Sequence, residues 1–89
     1  MKKRKHFLIT GYVQGVGFRY RAKIAAEYLG LTGYVCNLPD GSVEMEVQGE
    51  ETLIYQQLER IQEGHYVEIS SIESKDMPLS KKERGFHAF

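Results

Sequence analysis

A few residues in the first half of the chain have types and spacing with a chemical use. Gly15, Gly17 and Arg19 sit in the segment Gly11-Tyr12-Val13-Gln14-Gly15-Val16-Gly17-Phe18-Arg19, at a predicted strand-to-helix junction. The glycines allow a tight turn and leave backbone N–H groups uncovered. The following helix puts the positive end of its dipole at the same place. Together they form a nest of amides suited to a phosphate. Arg19, in the first helical turn, adds a planar fork of donors that matches phosphate oxygens. The same segment also reads as a plain tight turn followed by a surface arginine. Asn37, the only asparagine, precedes Leu38-Pro39-Asp40-Gly41. Its carboxamide can hold a water on one side and a substrate oxygen on the other. An asparagine before such a turn also commonly hydrogen-bonds its own backbone.

Other site chemistries fit less well. His6, His65 and His87 are scattered and make no ligand spacing with Cys36 or with one another, so no metal site is expected. Cys36 has no adjacent base, and no Ser, His and Asp set stands out. The glycine spacing matches neither a phosphate-binding loop followed by Gly-Lys-Ser/Thr nor a dinucleotide fingerprint.

The whole chain is 89 residues, which is one domain spanning 1–89. With 42% hydrophobic residues it can fold alone, but its site must be a surface cleft made largely of backbone. Twelve basic and twelve acidic residues cancel, so the excess positive charge of a nucleic-acid binder is missing. The local exception, Lys2-Lys3-Arg4-Lys5, is expected to be a solvated tail. A single cysteine excludes a disulfide scaffold. No stretch is apolar enough for a membrane span, and Phe7-Leu8-Ile9 is too short for a signal-peptide core. A cytoplasmic, monomeric protein with no nucleic-acid or membrane partner is expected.

Period-two alternation predicts strands over His6 to Val13, Gly33 to Asn37, Ser42 to Gln48 and Val67 to Ile72. In the third of these, Val43, Met45 and Val47 point inward, while Glu44, Glu46 and Gln48 point outward. Phe18, Ala22, Ala25 and Leu29 fall on one helical face, and Gly30 stands at the stop position. Ile54, Leu58 and Ile61 mark a second helix over 50–63. Met77 to Arg84 reads as a loop, and Gly85 to Phe89 as a short final strand. The order β-α-β-β-α-β predicts a ferredoxin-like α+β sandwich: an antiparallel sheet of four to five strands with two helices on one face. That topology hosts many functions and selects none.

The segment from Gly11 to Arg19 resembles the first acylphosphatase signature, G-x-V-Q-G-V-x-F-R, with every fixed position matched. Gly33-Tyr34-Val35-Cys36-Asn37-Leu38-Pro39-Asp40-Gly41-Ser42-Val43, continuing to Gly49, resembles the second. One position departs. The family has a long polar or basic residue before the asparagine, and here it is Cys36. The effect depends on which way that side chain points. The resemblance covers essentially the whole chain, including Gly85-Phe86.

The resemblance implies hydrolysis of the carboxyl–phosphate bond of acyl phosphates, giving a carboxylate and inorganic phosphate. It places the catalytic arginine at Arg19 and the catalytic asparagine at Asn37. It places the phosphate cradle on the backbone of Gly15, Val16, Gly17, Phe18 and Arg19. A carboxylate leaving group, with a conjugate-acid pKa of about 4–5, needs no general acid. A loose phosphoryl-transfer transition state needs no strong base. No cofactor and no metal are then expected.

Two other classes fit the residues. One is a binding module that keeps the cradle without turnover, as in acylphosphatase-like domains within larger enzymes that handle carbamoyl phosphate. The chain stops about where the fold does, which leads us to expect the free enzyme. The other is an RNA-binding domain of the same topology, but Gly17-Phe18-Arg19-Tyr20 falls at a helix start and not on a central strand, where stacking aromatics must lie. No lipid-sized or sugar-sized specificity pocket is identifiable in the sequence; Tyr12, Tyr20 and Tyr34 could line a rim, though aromatics on a small sheet more often serve as core or scaffold.

Overall fold

The computed structural model describes residues 1–89. The elements are β1 (Lys2–Tyr12), α1 (Phe18–Leu29), β2 (Thr32–Asn37), β3 (Val43–Glu50), α2 (Glu51–Gln62), β4 (Glu68–Met77) and β5 (Phe86–Ala88). They form one five-stranded sheet in the order β4-β1-β3-β2-β5. Alternate strand residues Phe7, Ile9, Val35, Val43, Met45 and Val47 share a core with Phe18, Ala22 and Ala26 of α1 and with Ile54, Leu58 and Ile61 of α2. Both helices therefore bury their apolar stripes on one sheet face, as the periodicities predict. The sheet is mixed where an antiparallel one is expected: β5 runs parallel to β2.

Three expectations need correction. The basic run is no tail. It is the first half of β1, paired with β3 on one side and, from Arg4 onward, with β4 on the other. Arg4 and Lys5 are both buried. Their aliphatic stems cover apolar surface while their charged ends meet carboxylates. Lys5 Nζ lies 2.7 Å from Asp76 Oδ1 and 3.4 Å from Glu51 Oε2.

Second, β4 runs on through Met77, past Ile72. Glu73-Ser74-Lys75-Asp76 shows no apolar alternation because this edge strand is exposed on both faces there. Its backbone pairing with β1 carries it. Third, Gln48 does point away from the helices, yet it is buried. Its Nε2 donates to the Ser80 carbonyl at 2.9 Å, and the Ser80 N–H donates to its Oε1 at 2.7 Å. The loop after β4 thus lies across this part of the sheet.

Arg4 clamps the same loop. Its Nη1 and Nη2 donate to the two carboxylate oxygens of Glu83 at 2.6 and 2.9 Å, and its Nε donates to Glu46 Oε1 at 2.9 Å. Burial pushes Glu83 up, but hydrogen bonds from Arg4 and Thr32, with the charge of Arg4, hold it below the ordinary carboxylate value. A carboxylate depressed in the folded state adds stability that is full above its unfolded pKa. That stability is lost as pH falls through the folded value. Glu83→Gln is expected to cost about 3 kcal/mol at neutral pH, and the gap from wild type should narrow as pH falls below the ordinary glutamate value of about 4.3. Urea unfolding followed from pH 3 to pH 7 checks this.

Candidate active site

The site begins where β1 ends. Gly15 (φ 73°) and Gly17 (φ 85°) both take the left-handed conformation, with open space where a Cβ would stand. The sign of φ, not crowding, calls for glycine here. Gly17 caps α1, and no side chain caps the helix start. The N–H groups of Gly15, Val16, Gly17, Phe18 and Arg19 find no acceptor within the protein. Orphan amides at a helix N-terminus are the physical basis of an anion site.

A cleft of about 340 Å³ opens above these amides. Val13, Gly15, Gly17, Phe18 and Arg19 line it from the loop and helix start, and Asn37 lines it from the end of β2. Gly15, Gly17, Phe18, Arg19 and Asn37 are therefore brought together. Val16 differs: its side chain packs against the core, and only its backbone N–H is left without a partner. Asn37 Oδ1 is buried and has no hydrogen-bond partner. Asn37 pairs with Val43 across the hairpin, and the turn closes instead through Asp40 Oδ1, which accepts from the Ser42 N–H at 2.9 Å. The carboxamide oxygen is thus not used up by its own turn.

The acylphosphatase family profile matches residues 5–88. The chain belongs to the acylphosphatase family. An acylphosphatase of Clostridium perfringens is 44% identical over 87 residues, covering 97% of this chain and 98% of that protein. The crystal structure of acylphosphatase from Bacillus subtilis superposes with a TM-score of 0.88 at 28% identity, covering 100% of this chain and 99% of that one. An acylphosphatase from Coxiella burnetii superposes at 0.87 with 31% identity, covering 99% and 93%.

Within this acylphosphatase-family fold, Cys36 lies on the sheet face away from the helices and does not line the cleft. Its Sγ–H donates to Glu44 Oε1 at 3.5 Å. Burial, then that carboxylate, pushes the thiol up, so it is a poor nucleophile. Tyr34 shares that face, donating to Glu44 and Glu46 at 3.3 and 3.4 Å. Of the three rim tyrosines considered, only Tyr20 lines the cleft.

Three parts of the site escape a reading of the sequence. Gln14 Nε2 donates to the Leu38 and Ser42 carbonyls at 2.8 and 2.9 Å, which ties the glycine loop to the hairpin bearing Asn37. Arg19 Nη1 donates to the main-chain oxygen of Phe89 at 2.5 Å, and the Phe89 N–H is itself held by the Val35 carbonyl at 2.9 Å. Lys23 lines the cleft with its Nζ on the Phe86 carbonyl at 3.1 Å. Each of these bonds ends on a main-chain oxygen, which leaves no side-chain signature. The only available signal was the glutamine inside the first signature.

Proposed function

We propose that this protein hydrolyses acyl phosphates with Arg19 and the loop amides holding the phosphoryl group and Asn37 orienting the attacking water. Membership of the acylphosphatase family makes the chain an enzyme of that type, and family and fold support acyl-phosphate hydrolysis. One observation carries the division of roles. A buried acceptor with no protein partner, Asn37 Oδ1, lines the same cleft as a set of amide donors without acceptors.

The donors match the phosphoryl oxygens. The amides of Gly15 to Arg19 and the guanidinium of Arg19 stabilise their negative charge, which is the largest contribution available to a site without a strong base. Asn37 Oδ1 accepts a hydrogen bond from water and holds its oxygen toward phosphorus. The water oxygen bonds to phosphorus as the phosphorus–acyl oxygen bond breaks. The carboxylate leaves as an anion and needs no proton, because its conjugate acid has a pKa of about 4–5. The water's protons pass to the phosphate formed and to solvent. No step asks for a base stronger than a carboxamide, since attack has advanced little in a loose transition state.

Turnover of benzoyl phosphate by the wild-type protein in the presence of EDTA is the expected outcome. A folded wild-type protein that binds phosphate but leaves benzoyl phosphate intact would count against hydrolysis and for phosphate binding alone.

A further inference from the structure

A second depression adjoins the cleft and runs along the two helices. It measures about 450 Å³ and lies between α1 and α2. Gly17 and Tyr20 line both it and the candidate active site, so the two adjoin at these residues. Beyond them its walls are Arg21, Ile24 and Tyr28 of α1 and Arg60 of α2.

We propose that this groove is the acyl-group subsite, fitted to an acyl chain with an apolar body and an anionic far end. The inference rests on the function proposed above and extends it to the substrate's other half. Three features carry it. First, Tyr20, Ile24 and Tyr28 are spaced by four along α1 and lie in one row. They are 71%, 48% and 74% exposed, on the side of the helix turned away from its buried Ala22 and Ala26. An outward helix face is ordinarily polar, and a row of large apolar groups on it marks a contact surface.

Second, the row starts at the phosphate end. A phosphoryl group seated on the amides of Gly15 to Arg19 has the Tyr20 ring at its edge, and from Gly17 to Tyr28 the helix rises about 16 Å. Third, the far end is cationic. The Arg60 guanidinium lies 4.7 Å from the Tyr28 ring centroid, and Arg21 Nη1 donates to the Arg60 carbonyl at 3.4 Å. Neither arginine is in an ion pair. Glu63 is the one acidic residue on the groove wall, leaving an excess of positive charge there. Arginine forks suit a carboxylate, and the rings suit a polymethylene chain.

The test compares acetyl phosphate with the monophosphate of sebacic acid, which has ten carbons and a far carboxylate. Wild type, Tyr28→Ala and Arg60→Gln are assayed at low ionic strength. A phosphonate analogue of the long substrate is titrated by NMR in parallel. In wild type, KM for the long substrate should lie about tenfold below that for acetyl phosphate. Each variant should shrink that ratio by about threefold to fivefold with kcat changed less than twofold, as expected for a solvent-exposed contact. The Ile24 methyl signals should shift together with the amides of Gly15 to Arg19.

Equal KM values in wild type, or an unchanged ratio in both variants, overturns the subsite. So do shifts confined to the loop amides. If acetyl phosphate is hydrolysed while Ile24 stays silent, the subsite falls and the hydrolase reading stands. If neither substrate is hydrolysed while Ile24 and the amides shift together, the hydrolase reading falls and the groove stands as a ligand site.

Discussion

Asn37→Ala is expected to lower kcat for benzoyl phosphate about a thousandfold while inorganic phosphate still inhibits within about twofold of its wild-type constant. The size of the loss follows from what the side chain does in the proposed site. It holds the attacking water and touches the phosphoryl group little, so its loss removes orientation and leaves charge in place. Geometry supports a clean experiment. Asn37 pairs with Val43 through the backbone ladder, and its Oδ1 makes no bond within the protein. Alanine therefore takes away no internal contact of that oxygen, and the hairpin should keep its register. Circular dichroism and phosphate inhibition identify a folded, binding-competent variant. If phosphate inhibition weakens as much as kcat falls, Asn37 binds the phosphoryl group and the assignment of water to it is wrong.

Arg19→Gln should be more damaging, lowering kcat/KM by about ten-thousandfold and weakening phosphate inhibition as well. The guanidinium is the full positive charge nearest the loop amides, with Lys23 further along the cleft wall held on the Phe86 carbonyl, and the guanidinium charge grows in value as the phosphoryl group separates from its leaving carboxylate. Its position is fixed from outside the loop, by the main-chain oxygen of Phe89 that accepts from Nη1. Arg19→Lys restores the charge without the planar fork, and a lysine cannot hold Phe89 and the phosphoryl group in one plane. Partial recovery, well short of wild type, is expected from it. Steady-state kinetics on both variants, with phosphate inhibition measured alongside, separates charge from geometry. Recovery to wild-type kcat/KM by lysine would show that the fork is irrelevant.

Most of the architecture was legible, and the misses have a common physical origin. Periodicity reports which face of an element is buried. It found the stripes at Phe18, Ala22 and Ala25 and at Ile54, Leu58 and Ile61, and the alternation of Val43, Met45 and Val47. It is silent where burial does not follow hydrophobicity. Arg4 and Lys5 are buried by virtue of their ion partners, and Gln57 is fully buried because its Nε2 donates to the Ala22 carbonyl at 2.9 Å, joining the helices. Nor does it see the second half of β4, which holds its place by backbone pairing and the Lys5–Asp76 ion pair and not by apolar burial.

The site divides in the same way. Arg19, Asn37 and the glycine loop stood out by residue type, but that alone left a plain turn and a capping asparagine as rival readings. The match to two signatures singled out the site reading. The supports at Gln14, Lys23 and Phe89 act through main-chain oxygens far away in the chain, and only the folded chain brings those together.

The place of β1 in the sheet has a consequence for how the protein is made. The first strand of the chain is an interior strand of the sheet. One edge of it waits for Val43 to Glu50, and the other, where Arg4 meets Met77, waits for nearly the whole chain. A ribosome-bound nascent chain therefore carries this strand unpaired until Val43 to Glu50 has been made, and with one edge open until Glu68 to Met77 follows. The pairings that complete it are among the most distant in sequence that the fold contains. Such non-local closure slows folding toward the millisecond-to-second range and lengthens the time for which Phe7 and Ile9 are open to wrong partners. The charged residues of β1, Lys2, Lys3, Arg4 and Lys5, then act before the fold exists: their mutual repulsion keeps unpaired copies of this strand apart.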